Sequence, residues 1–598
     1  MTRYIWFSLF TAAAFIKLTA VSHYLLDDIS KGALLISLSF SLLIFSMILL
    51  MKKYYIWYGA VVSLVISFYC WSSYLYMDYF HTPFSSYITL QTSNLSGMSE
   101  SIFGQIAGWH VVFFADLILL TAWLLYIKWS STSTATAAEV NRNWKPFTAV
   151  IVLALLFLSL KPISMQVSGK GHLLFKKYTT DSHLSNYGVI GHQAIDWIEF
   201  LTSRQVLELS AEEKEEINEL LINQDRATPR EDPLLMPGIF EDKNLLMIQF
   251  ESLQQFVIGE KVNGQEITPN LNKLTETGIS FKNYYPQTAE GNSSDAELLV
   301  FNSLYPLKEG STFFRYPAVT YPSLAKDFNR EGYATAAFHG DEGTFWNRNA
   351  VFPSMGFERY YDINDYRNVE ENTIGMGLSD ESFFEQSTEH IRKLPHPYLA
   401  SLITLTSHTP FLLPEEEKRI ETGEMGQTSL GNYFESVHYT DHYLGKFLEE
   451  LEQNGELDDT VVVVYGDHNG IFKESKSEVE KWSGRTISDE QWRTEYTSVP
   501  LLVSSPDLKT PLAIEDVAGQ IDTAPTLRDW FGFPDHPTAL GHNLNQFVND
   551  DVFLLRGDYG ERVVIQQEGQ VTDYEDVHFE LLNASEQMIK SNFNHTKN

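Results

Sequence analysis

Hydrophobic positions follow two regimes along this chain. Up to Met165 they gather into five long runs, Tyr4–Leu26, Gly32–Met51, Tyr54–Met77, Trp109–Lys128 and Phe147–Met165, each long enough to cross a bilayer as a helix. No small-residue cleavage site follows the first run, so it reads as a retained span and not a signal peptide. From about Pro237 the runs shorten to six to eight residues and alternate with amphipathic stretches, the pattern of a doubly wound α/β domain. Between the regimes, Glu212–Asn223 predicts an amphipathic or charged helix, and the polar, proline-bearing Arg226–Pro237 predicts a linker. The expected organisation is a five-helix transmembrane domain over residues 1–165, a juxtamembrane helix and linker over 166–236, and an outer α/β domain over 237–598.

Charge sets the orientation. Arg3 precedes span one, Lys52 and Lys53 join spans two and three, and Lys128, Arg142 and Lys145 flank the connection between spans four and five, whereas the loop Asp78–Gly108 has no Lys or Arg. Basic loops stay inside, so the N-terminus is cytoplasmic and an odd number of spans delivers the rest of the chain to the outer face. Two ionisable residues lie within spans. Lys17 and Asp116 stand nine and seven residues in from the outer ends Leu26 and Trp109, similar depths at about 1.5 Å of rise per residue, and are expected to pair across spans one and four. The alternative is that each snorkels separately.

The first 166 residues hold only nine of the 43 Lys/Arg and six of the 77 Asp/Glu, which leaves the outer part with a net charge near −37. Such a surface repels phosphate backbones and excludes nucleic acid as a partner; an anionic substrate then needs a local cation or metal. The one cysteine, Cys70, lies in an apolar stretch, so intrachain disulfides and cysteine-based zinc sites are excluded. An exported domain without disulfides fits a bacterial surface. Ser130–Glu139 is a low-complexity tract, and no internal repeat or glycine-rich nucleotide loop is present.

Candidate chemistry lies where the short apolar runs end. Asn244–Phe250 is followed by Glu251, Tyr333–Phe338 by His339-Gly340-Asp341, Tyr398–Leu405 by Thr406-Ser407-His408, and Thr460–Tyr465 by Gly466-Asp467-His468. Ligand sites of open α/β sheets lie outside the carboxyl ends of the strands. Two carboxylates, an imidazole and a hydroxyl suit Mn²⁺ or Mg²⁺, with Zn²⁺ also compatible. The hydroxyl is expected from Ala289–Leu298 ("AEGNSSDAEL"), where Ser293 or Ser294 opens a helix. Either serine is a natural helix cap; beside a divalent cation it is an activated nucleophile. In His339–Asn349, the side chains His339, Asp341, Trp346 and Arg348 suit a phosphate carrying a small polyol. His438 and His442 have the i,i+4 spacing of metal ligands but lack the glutamate of the H-E-x-x-H pattern, and a solvated helix face is expected there.

With "QFES", "QTAEGNSSDAELLVFNSLYP", "FHGDEGTFWNRN", "LTSHTPF" and "VVYGDHNG" behind five spans, the chain resembles the lipoteichoic acid synthase family, membrane phosphoglycerol transferases of the sulfatase-like alkaline-phosphatase superfamily. "QIDTAPTLRDWFGF", Gln520–Phe533, resembles a further superfamily element in which a strand leads into a helix. The resemblance implies an alkaline-phosphatase/sulfatase-like extracellular domain on a bacterial cell membrane. It implies Mn²⁺ at Glu251, Ser293, Asp467 and His468, and a glycerophosphate pocket of His339, Asp341, Phe345, Trp346, Arg348 and His408. It also implies phosphatidylglycerol as donor and a glycolipid or polyglycerophosphate chain as acceptor. Where the family pattern reads G-K-T-S-D, this chain reads Gly291-Asn292-Ser293-Ser294-Asp295, which makes Ser293 the expected nucleophile and admits both a synthase and a primase-type paralogue. His408 and Arg348 are the expected proton carrier and charge stabiliser. Formylglycine sulfatases need x-Pro-x-Arg after the nucleophile, and Ser294-Asp295-Ala296-Glu297 does not provide it. A phosphoethanolamine transferase and a catalytically silent surface module are the alternatives.

Overall fold

The computed structural model describes residues 2–25, 30–80, 84, 86, 106–130, 144–167, 180–202, 207–222, 226–556 and 562–596. Ser131–Glu139 of the low-complexity tract, Arg142 and most of the loop Asp78–Gly108 lie outside them. The chain forms two compact units, residues 1–86 with 102–205 and residues 87–101 with 206–598.

In the first unit the apolar runs become helices α1 (Thr2–Leu25), α2 (Lys31–Ser46, extended by a 3-10 turn to Leu49), α3 (Tyr55–Phe80), α4 (Ala115–Ser130, led by a 3-10 segment from Gly108) and α5 (Trp144–Val167). All five carry segments long and apolar enough to cross a membrane. The expected intramembrane pair is present: Lys17 Nζ lies 2.6 Å from Asp116 Oδ1 and also donates to Ser67 Oγ at 2.5 Å. Ser63 completes the cluster by donating to the other carboxylate oxygen of Asp116, so spans one, three and four share one polar knot. A sixth helix, α6 (Thr180–Thr202), follows the spans.

The second unit is an α/β domain around an eight-stranded mixed sheet. Its strands in chain order are β1 (Asn244–Phe250), β2 (Ile279–Tyr285), β3 (Ala334–His339), β4 (Arg359–Tyr361), β5 (Tyr398–Ile403), β6 (Thr460–Gly466), β7 (Val499–Ser504) and β8 (Leu512–Gly519). They are arranged β8-β2-β7-β6-β1-β5-β3-β4, with β7 antiparallel to both of its neighbours. The four strands read from the sequence are consecutive and parallel, β6-β1-β5-β3, so their carboxyl ends open along one edge.

Alternation along the strands supplies two cores. Leu245 and Met247 of β1 face a cluster with Leu299 and Phe301 of α8 (Ser293–Asn302). Leu246, Ile248 and Phe250 face another, with Phe383 of α9 (Asp380–Ile391) and Phe434 of α10 (Ser429–Gln453). Helices on both faces make the sheet doubly wound, as the periodicity predicts.

Two expectations change. Arg226–Pro237, read above as a linker, is held to the second unit: Ala227–Pro229 pairs antiparallel with Phe547–Asn549, and Arg230 bridges to Asp516 at 2.5 Å. His438 and His442 on α10 do not form a solvated face; both are half-buried, and His438 Nδ1–H donates to the Ile267 carbonyl at 2.9 Å. The charged run forms helix α7 (Ala211–Ile222) and is amphipathic, with Ile217 in the first core.

Candidate active site

Parallel strands end in loops, and loops are free to turn side chains toward a common point. After β1 and β6 the loops place Glu251, Asp467 and His468 so that one ligand atom of each lies within 4.8 Å of the others. Among the described residues this is the group of His, Cys, Asp and Glu that could hold a metal. Ser293 Oγ, at the first position of α8, lies 3.2 Å from Glu251 Oε2 and 3.3 Å from His468 Nε2. Ser294 points elsewhere: its hydroxyl donates to the Gly291 carbonyl at 2.7 Å and closes the turn that begins the helix. Of the two serines, one is tied back into the turn and the other faces the cluster.

The donor set fits a divalent cation. Asp467 is fully buried, and burial with Glu251 beside it pushes its carboxyl up to about 7. Burial works against charge on His468, yet Asp467 and Glu251 outweigh it and raise the imidazole above its usual range. Two buried carboxylates with one shared imidazole need an added positive charge. Hard oxygens with a single nitrogen suit a hard or borderline ion.

Three histidines at the strand ends share one arrangement. His339 Nδ1 lies 3.0 Å from the Ile403 carbonyl, His408 Nδ1 2.7 Å from that of Thr409, and His468 Nδ1 3.1 Å from that of Asn469. A carbonyl only accepts, so Nδ1 carries the proton in each ring and Nε2 keeps its lone pair while the ring is neutral. Burial lowers His339 well below the ordinary histidine range and His408 to about 4. Both are neutral at pH 7.

Beside this cluster, three buried polar atoms have no protein partner: His339 Nε2, Asp341 Oδ2 and Arg348 Nη1. Buried polar groups are rarely left unpaired, and Arg348 acts electrostatically on both His339 and Asp341. His408 in turn senses His339 on one side and Asp467 with His468 on the other, which places it between the two groups. Phe345 and Trp346 are buried just before Arg348 in the chain. Trp346 and Asn347 both adopt positive φ, 52° and 58°, a costly conformation for a tryptophan.

Arg348 differs from its expected role as a bidentate anion binder. Nε and Nη2 are already committed to Glu297, at 2.9 and 2.6 Å from Oε1, and both side chains are 1% exposed. One nitrogen, Nη1, remains without a protein partner. Glu297 was not singled out in the sequence, although its place one helical turn from Ser293 is a readable signal.

Backbone supports complete the site. The Asp295 carboxylate accepts from the N–H groups of Ala289 and Gly291 at 2.9 and 2.8 Å, and a Cβ on Gly291 would lie 2.1 Å from Asp295 Oδ1; only glycine fits. Arg556 donates to the Ala289 carbonyl and to Asn292 Oδ1. Gln520, where β8 runs into helix α11 (Thr523–Trp530), donates to the Asp467 carbonyl at 2.7 Å, which gives the "QIDTAPTL" stretch its structural place. Asp380 accepts from the N–H groups of Leu405 and Thr406 and from the Thr440 hydroxyl and so steadies the loop that carries His408.

Residues 1–208 match the lipoteichoic acid synthase N-terminal domain family, and residues 243–533 match the sulfatase family. The chain is 30% identical to lipoteichoic acid synthase 1 of Bacillus subtilis over 513 residues, 84% of this chain and 78% of that one. It is 29% identical to the lipoteichoic acid synthase of Staphylococcus aureus over 519 residues, with the same two coverages. The crystal structure of the lipoteichoic acid synthase LtaP from Listeria monocytogenes, 26% identical, matches 64% of this chain and 98% of its own with a TM-score of 0.54.

Proposed function

Because the chain belongs to the lipoteichoic acid synthase family, a group of bacterial membrane enzymes with an outer catalytic domain, we propose that it transfers glycerophosphate from phosphatidylglycerol to a glycolipid or a growing lipoteichoic acid chain. The observation that carries this reading is the Ser293 hydroxyl at the start of α8, between Glu251 and His468. Ser293 attacks the donor phosphorus, the diacylglycerol oxygen departs, and a glycerophosphoryl-Ser293 diester remains. An acceptor hydroxyl then takes the phosphoryl group and frees the serine. One phosphodiester replaces another, so no nucleotide is consumed.

Glu251, Ser293, Asp467 and His468 would hold Mn²⁺, or Mg²⁺ in its place, and the ion would favour the ionised serine and offset charge on the phosphate. His408, neutral and with a bare Nε2, carries the proton from the nucleophile to the departing diacylglycerol oxygen, then from the acceptor hydroxyl back to Ser293. Arg348 offers Nη1 to a phosphoryl oxygen while Glu297 holds the guanidinium in place. His339 Nε2 and Asp341 Oδ2 accept from the glycerol hydroxyls, and Phe345 and Trp346 wall the pocket.

The test is diacylglycerol release from fluorescent phosphatidylglycerol by the full-length chain with Mn²⁺. Release that requires both the ion and Ser293, with phosphatidylethanolamine inert, is the expected result. Equal release by Ser293→Ala, or preference for phosphatidylethanolamine, refutes the proposal. Product length then separates a synthase from a primase.

A further inference from the structure

Helix α6 has its polarity reversed. The helix kinks at Gly188, where φ is 66°, and beyond that point the buried side chains include His192, Gln193 and Asp196, whereas Ala194, Trp197, Ile198 and Leu201 are exposed. The exposed four stand at i, i+3, i+4 and i+7, one continuous stripe on a helix. Trp197, Ile198 and Leu201 are 41, 57 and 65% exposed, while the adjacent Asp196 is fully buried. A helix bathed in water shows the opposite pattern.

The buried side of α6 is tied to the outer ends of the spans. Val189 N–H donates to Ser22 Oγ of α1 at 3.1 Å, and Tyr69 of α3 donates its hydroxyl to the Val189 carbonyl at 3.1 Å. A Cβ on Gly188 would lie 3.3 Å from Ser37 Oγ and 3.4 Å from the Ala33 carbonyl, both of α2, so the two backbones approach closely. Asp196 accepts from the Ser86 N–H at 2.5 Å, and Gln193 Nε2 donates to Ser86 Oγ and Asp196 Oδ2, each at 3.1 Å.

We propose that α6 lies in the outer leaflet, with the stripe of Ala194, Trp197, Ile198 and Leu201 against lipid and with His192, Gln193 and Asp196 turned inward. Continuity with the lipid-facing surface names the occupant. The same unit exposes Ile16 and Tyr24 on α1 and Phe68 on α3, two spans to which α6 is hydrogen-bonded, and the stripe of α6 adds to that apolar surface at the outer end, where tryptophan is at home. Within a bilayer polar groups face the protein interior and apolar groups face out, which is the arrangement α6 shows. The chain emerging from span five is thus fastened to the membrane a second time, four residues before Val206, where the catalytic unit begins.

The test uses the full-length chain in phosphatidylglycerol-containing proteoliposomes, in a Cys70→Ala background. Nitroxide labels at Ala194→Cys, Trp197→Cys and Leu201→Cys are compared with one at Glu215→Cys, an exposed position on the helix Ala211–Ile222. Collisions are read with oxygen, which concentrates in hydrocarbon, and with a nickel chelate, which stays in water. The expected result is oxygen dominant at the three stripe positions and nickel dominant at Glu215→Cys. Nickel dominance on the stripe overturns the proposal, and so does shielding from both reagents, which would mean that protein covers it. Unchanged thermal unfolding is required of each labelled chain; Ala194→Cys, the smallest change, decides the matter if the tryptophan variant does not fold.

Discussion

Ser293 and Ser294 are neighbours of the same type, and their surroundings alone give them different work. Ser293→Ala is expected to reduce turnover to background, while Ser294→Ala retains catalysis and lowers stability by about 1 kcal/mol, the usual worth of a buried hydrogen bond such as the one it donates to the Gly291 carbonyl; lipid turnover and urea unfolding read the two effects. Glu297→Ala leaves the buried Arg348 guanidinium without its partner, a loss of about 3–5 kcal/mol, and the midpoint of unfolding should fall accordingly. The Asp467–His468 pair gives a pH dependence of known sign. Both groups are raised in the folded state, so the native site holds protons that the unfolded chain has released. Metal-free stability is therefore greatest at low pH by this contribution and declines as pH rises through about 7. Manganese binding displaces those protons, so its affinity should rise over the same interval. Thermal unfolding at pH 5.5 and 8, with and without Mn²⁺, should show the two trends crossing.

At the scale of elements, the site depends on four parallel strands ending in step. Asn244–Phe250 and Thr460–Tyr465 were legible because each apolar run stops at a polar residue, and β3 and β5 differ from expectation by only one or two residues at their ends. Strands β2 and β7 are not followed directly by Glu, Asp or His, so that signal does not mark them; β7 also runs against its neighbours, which periodicity does not reveal. The loop before α8 is equally constrained. Gly291→Ala would drive a Cβ into the Asp295 carboxylate and displace Ser293, so activity should fall sharply even if the domain stays folded by circular dichroism. In the membrane unit, Lys17→Ala and Asp116→Ala should each destabilise the chain, and the double variant should be no worse than the more damaging single one. Additive losses in that cycle would show the two charges to be independent.

For the whole molecule, a metal that binds only the folded catalytic unit stabilises it by mass action, about 2.7 kcal/mol at a hundredfold excess over Kd. Chelation should lower the unfolding temperature of the intact chain, and Glu251→Ala should abolish the effect of added Mn²⁺. Sequence alone determined the spans, their direction and the doubly wound class, because hydropathy length, basic loops and strand periodicity are local quantities that survive without coordinates. It also determined which strand ends carry Glu, Asp and His. Tertiary structure decided what those residues meet. Glu297 takes two of the donors of Arg348, Arg226–Pro237 is pinned to Phe547–Asn549, three imidazoles share one tautomer through backbone carbonyls, and α6 turns its polar side inward. The first two are contacts between segments distant in sequence, the third is a ring orientation fixed by nearby carbonyls in the folded loops, and the last is a choice between faces of one helix; none is written in composition or period, and all arise only when packing brings the partners together and removes water from between them.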